Sequence, residues 1–110
     1  MISEQDIDRA LAYLRDNAEK DAQARAERLY MEQWIKTALA QAMAGANAPS
    51  VAAAEMGART SEAYLSALAA YKQSIFEDER RRFLRSAAET KIEAWRTMCS
   101  NQRAEGKAYS

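Results

Sequence analysis

Histidine is absent from this chain of 110 residues. That removes the usual general base near neutral pH, the Ser-His and Cys-His nucleophile arrangements, and the commonest transition-metal ligand. Cysteine occurs once, at Cys99, so neither an intrachain disulfide nor a cysteine zinc cluster is expected, and a reducing compartment fits. The glycines at 45, 57 and 106 lie too far apart to form a phosphate-cradling loop. No apolar run approaches the roughly 20 residues needed to span a bilayer. The start, Met1-Ile2-Ser3-Glu4, has no basic region followed by an apolar one, so no signal peptide is expected. Charge of one sign is also missing, since sixteen Lys and Arg balance sixteen Asp and Glu. A strongly basic nucleic-acid coat and an acidic DNA mimic are both disfavoured, although a local patch can act within a neutral whole. These absences predict a non-enzymatic, cytoplasmic protein with no cofactor, no metal and no membrane span.

What is abundant is alanine, with 25 residues, and it is the best helix former. With one proline and three glycines as breakers, the chain reads as one all-α domain. The expected architecture is a long antiparallel helical hairpin. It comprises a helix over about 3–44, a connector over 45–60 with a short helix at 50–57, a helix over about 61–104, and a frayed tail at 105–110.

The first long helix opens with a capping-box-like start, Ser3 with Asp6, and Glu4 in the positive first turn. Ile7, Leu11, Leu14 and Ala18 recur at helical spacing, and Ala22 and Ala26 continue the row. Asp16 with Lys20, Asp21 with Arg25, and Arg28 with Glu32 fall at spacings that support a helix locally. From Leu29 to Met43 apolar residues cover most of the circumference, which requires burial on more than one side. Gly45 is placed to cap the end of this helix, and Asn47-Ala48-Pro49 to break the run. Ser50 is placed to start the short helix that Gly57 closes, and Thr60-Ser61 to start the second long helix.

The second long helix is the centre of the chain. It carries Tyr64, Leu65, Leu68, Tyr71, Ile75, Phe76, Phe83, Leu84, Ile92, Trp95 and Met98, and the run Glu77-Asp78-Glu79-Arg80-Arg81-Arg82. Two helices of some 40 residues would each reach roughly 60 Å at 1.5 Å per residue. Two such helices alone leave the apolar circumference uncovered. A second copy provides the cover, giving a four-helix-bundle-like homodimer. The interface residues expected on this basis are Leu29, Tyr30, Trp34, Ile35, Leu39, Phe83 and Trp95.

The charges admit two chemical readings. Glu77, Asp78, Glu79, Glu89 and Glu93 are helical carboxylates, but most have an arginine one turn away, so no metal site is expected. Arg80, Arg81, Arg82 and Arg85, with Lys91, Arg96 and Arg103, offer a nucleic-acid contact. Consecutive residues point about 100° apart on a helix, so the arginine triplet cannot make one flat patch. A solvated face neutralised by its acidic neighbours is preferred to a DNA-binding one.

Three segments carry a resemblance: Ala10-Leu-Ala-Tyr-Leu-Arg-Asp-Asn-Ala18 with Ala26-Glu-Arg-Leu-Tyr-Met-Glu32, Ala53-Ala-Glu55 to Glu62-Ala-Tyr64, and Glu77 through Ile92-Glu-Ala-Trp-Arg96. Together they resemble a family of small uncharacterised helical proteins of tailed bacteriophages and prophages, often encoded near early or recombination genes. The connector at Pro49–Arg59 is less charged than is typical of that family. The resemblance implies a phage origin and a bacterial cytoplasm, and it carries over no active residue. The expected function is a helical protein–protein interaction module whose partner is a phage recombination or replication component or a host-defence factor. The alternative is a DNA-binding accessory that uses the arginines of the second long helix.

Overall fold

The computed structural model describes residues 1–109, with side chains through Lys107. Three helices follow in order: α1 at Glu4–Ala44, α2 at Val51–Arg59 and α3 at Glu62–Tyr109. No strand occurs among the described residues. α3 continues past 104 through Tyr109, where fraying was expected. Extending a formed helix costs little per residue even without an apolar stripe.

The helix starts follow local chemistry. Ahead of α1, the Ser3 hydroxyl accepts from the Asp6 amide at 3.1 Å, and the Asp6 carboxylate accepts from the Ser3 amide at 2.8 Å. This reciprocal pair satisfies two donors that a helix start leaves open. Ser50 caps α2, its hydroxyl accepting from the Ala53 amide at 3.1 Å. Ser61 serves α3, accepting from the Tyr64 amide at 3.3 Å while donating to the Ala58 carbonyl at 2.6 Å.

α1 ends at Ala44, directly before Gly45 as expected, although Gly45 adopts no left-handed conformation, since no described residue has a positive φ. Instead the Gly45 and Ala46 amides donate to the Gln41 and Met43 carbonyls, each at 3.1 Å. Gly57 does not close α2, which runs on to Arg59. There Thr60 folds its hydroxyl onto the Gly57 carbonyl at 3.1 Å.

The chain divides into two compact units. The first joins Met1–Asp21 to Arg80–Ser110, and the second is Ala22–Glu79. Burial along α1 follows alternating steps of three and four: Ile7, Ala10, Leu14, Asn17, Asp21, Ala24, Arg28, Met31, Ile35, Ala38 and Ala42 are all buried or half-buried. α3 shows the same rhythm through Tyr64, Ala67, Tyr71, Ser74, Asp78, Arg81, Arg85, Ala88, Ile92, Trp95 and Cys99. This is the 3.5-residue repeat of a helix whose seam faces a partner helix. The expected row through Leu11, Ala18, Ala22 and Ala26 is instead exposed. The repeat passes through Asn17, Asp21 and Arg28, whose polarity hides the seam from a search for apolar residues.

In the first unit the two helical segments run antiparallel. Asp6, Arg9, Ala10 and Tyr13 line one groove with Leu84, Ala87, Ala88 and Lys91, while Asp21 meets Arg81 and Arg85. In the second unit Arg28 meets Asp78 and Glu79, and α2 is tied to the start of α3. That tie includes Arg59, whose guanidinium donates to Glu55 at 2.8 Å and lies 5.9 Å from the centre of the Tyr64 ring. The best-covered apolar residues are Ile7 and Ala10 in the first unit, and Met31, Ala38, Ala58, Tyr64 and Ala67 in the second. Most are small, and small side chains let backbones approach while burying little area each.

Candidate functional site

The seam of each unit contains one charged cluster, and each is built the same way with opposite signs. In the first unit, Asp21 pairs with Arg85 at 3.2 Å through one carboxylate oxygen and accepts from Arg81 at 3.5 Å on the other. The Asp21 side chain is 10% exposed, the most covered of the group. In the second unit, a single Arg28 nitrogen donates to Asp78 and to Glu79, both at 3.1 Å. The hydrogen bond to Asp78, followed by that to Glu79, holds the Arg28 guanidinium above its ordinary pKa. Spacing along α1 alone predicts Arg25 and Glu32 as the partners of Asp21 and Arg28. Both instead reach the opposite helix, where a seam position offers less water and a fixed counter-charge.

Asn17 and Ser74 on the seam row are also hydrogen-bonded. Asn17 donates to the Tyr13 carbonyl at 3.0 Å, and the buried Ser74 hydroxyl donates to the Tyr71 carbonyl at 2.7 Å. Among the described residues no buried side-chain nitrogen or oxygen lacks a partner. None of them cluster as three or more His, Cys, Asp or Glu able to hold a metal ion.

The residues expected at a protein interface divide into two sets. Leu29, Tyr30 and Trp34 in the second unit and Phe83 in the first stand exposed, Tyr30 by 60% and Phe83 by 69%. Ile35 and Trp95 belong to the seam row and are half-buried, as is Leu39 beside it. Leu65, Leu68 and Phe76 on α3, and Val51 and Met56 on α2, are also exposed in the second unit. Their apolarity was legible, but seam and outer residues could not be separated without the heptad phase.

The basic residues divide similarly. Arg81 and Arg85 are half-buried on Asp21, and Arg96 is exposed with Glu93 at 3.4 Å. Arg80 and Arg82 are exposed, as is Lys91, which edges the groove of the first unit opposite Arg9. That groove holds about 380 Å³. Lys91 and Arg9 also act on the Asp6 carboxyl, which lies below its ordinary pKa chiefly through its hydrogen bonds with Ser3. Cys99 is half-buried in the seam row.

No protein-family model matches the chain. No curated protein and no solved structure matches it at a significant level. No described helix is long and apolar enough to cross a membrane.

Proposed function

We propose that this chain is a non-enzymatic bacteriophage accessory protein of the bacterial cytoplasm, acting as a helical protein–protein interaction module and pairing with a second copy into a four-helix-bundle-like dimer. The phage setting rests on the sequence resemblance. The interaction reading rests on exposed apolar surface. In the second unit Leu29, Tyr30 and Trp34 on α1, and Leu65, Leu68 and Phe76 on α3, stand exposed out of the seam. Aromatic residues exposed in this number favour recruitment as interface anchors.

The nucleic-acid reading has weaker support. Two of its strongest cations, Arg81 and Arg85, already pair with Asp21.

The test is light scattering coupled to gel filtration on the full chain and on a variant carrying Tyr30→Glu and Trp34→Glu. The wild type is expected at twice the chain mass and the variant at the chain mass, with helicity retained. A monomeric wild type that also recovers the same proteins from phage-infected cells as the variant does would overturn the assignment.

A further inference from the structure

In the second unit the exposed residues of α1 fall on two faces of unlike composition. Arg25, Glu32 and Lys36 all stand on one, beside Ala22 and Leu29. The other runs from Gln23 to Gln41 through Tyr30 and Trp34, and its only charged residue is Glu27. Residues three or four apart share a helix face, so these side chains form one exposed strip about 27 Å long. Neutrality is not a habit of the whole helix. In the first unit the same heptad positions of α1 hold Arg9, Asp16, Glu19 and Lys20. A strip poor in charge and centred on a tyrosine and a tryptophan has the composition of an interface core rather than of a solvated face.

The strip also reads alike in both directions. About the level of Glu32, Gln23 is matched by Gln41, Glu27 by Thr37 and Tyr30 by Trp34. Ala26 and Ala40 are matched about Gln33, one residue further on. A face that meets its own copy across a two-fold axis must be its own complement, since residue i meets j while j meets i. Laid antiparallel on its copy, the strip sets each Tyr30 on Trp34 of the second copy, a contact that offset stacking favours. Each Glu27 then meets a Thr37 hydroxyl, which can donate to it, and Gln23 meets Gln41, whose amides both donate and accept. A parallel arrangement would set Glu27 on Glu27. Antiparallel pairing separates those two acids by about 15 Å along the helices.

We infer that α1 pairs antiparallel with α1 of a second copy through this strip, with the two-fold axis at the level of Glu32 and Gln33. The inference rests on the dimer proposed above and adds its face and its direction.

Cysteine cross-linking in the full chain tests the direction. With Cys99 replaced by serine, Gln23→Cys and Gln41→Cys chains are prepared separately, and circular dichroism checks their helicity. On mild oxidation an equal mixture is expected to give a disulfide-linked dimer, while either chain alone gives little. Linkage of each chain to itself would overturn the antiparallel pairing yet leave the dimer standing. A wild type at twice the chain mass whose variants link in no combination would overturn it too, because the copies would then meet elsewhere. A monomeric wild type would overturn both the pairing and the dimer. A charge test needs no cross-link. Thr37→Lys brings a cation to Glu27 of the second copy and Thr37→Glu brings an acid, each twice per dimer. Analytical ultracentrifugation is expected to show the dimer Kd falling about fivefold with lysine and rising about fivefold with glutamate. Shifts of the same sign in both variants would overturn the pairing.

Discussion

The two units meet the same problem, a charge inside a thin alanine seam, with inverted solutions. The first unit sets one acid between two bases, and the second sets one base between two acids. They differ in cover. Asp21 is 10% exposed at its side chain, whereas Arg28 is 36% exposed. Water therefore reaches the central group of the second cluster, whereas in the first it reaches Arg85, also 36% exposed, and little of Asp21. The lesson is that equal numbers of ion pairs do not carry equal weight; the desolvated central group decides. A charge buried with its partners costs most when the partners are left behind.

The strongest way to break the comparison is Asp21→Ala. It removes the acceptor that Arg81 and Arg85 share. The expected loss is about 3 kcal/mol, at the low end for a broken buried pair because Arg85 keeps some water. Urea unfolding followed by circular dichroism measures it. A loss no larger than that of an exposed alanine substitution would show that the first cluster is as screened as the second.

The matching test in the second unit is Arg28→Asp, alone and combined with Asp78→Arg. The single change sets three acids together and is expected to lower the melting temperature, by less than Asp21→Ala does. The double change restores opposite signs and is expected to recover most of the loss, leaving a deficit because Glu79 then faces the acid introduced by Arg28→Asp. A double-mutant cycle isolates the coupling. Additive losses would mean that Arg28 and Asp78 are neighbours without being partners.

Much of the architecture was legible, for reasons that explain what was not. Sparse breakers, with Ser3, Ser50 and Ser61 as caps, located all three helices. Backbone donors at a helix start must be satisfied locally, so the signal lies in neighbouring residues. The seam does not announce itself this way. Spacing of apolar residues pointed to Leu11 and Ala18, but the seam passes through Asn17 and Asp21. The i,i+4 rule assigned Asp21 to Arg25 because it sees one helix at a time. Its partners lie some sixty residues away on α3. The signal that the sequence carries for these pairs is the acid-then-base spacing of seven in both long helices, Asp21 to Arg28 and Asp78 to Arg85. The outer aromatic face was legible as composition; its separation from Ile35 and Trp95 needed the heptad phase.

The smallest effect distinguishes the units by their helix starts. In the first unit the cap includes a titratable group, Asp6, with Ser3. In the second the caps at Ser50 and Ser61 use hydroxyls. Hydrogen bonds from Ser3, aided by Lys91 and Arg9, lower the Asp6 pKa from 3.8. A depressed folded-state pKa adds stability above the unfolded value and loses it as pH falls through the folded one. The α1 start is therefore expected to hold from neutral pH down to the ordinary carboxylate range and to loosen below it. The α2 and α3 caps have no such step of their own. Nuclear magnetic resonance titration of the Asp6 carboxyl, with amide exchange at its own backbone amide, reads both parts. Ser3→Ala is expected to move the Asp6 midpoint up toward 3.8 and to speed that exchange. An Asp6 midpoint indifferent to Ser3→Ala would mean that the Ser3 backbone amide, which the substitution keeps, holds the carboxylate without help from the hydroxyl.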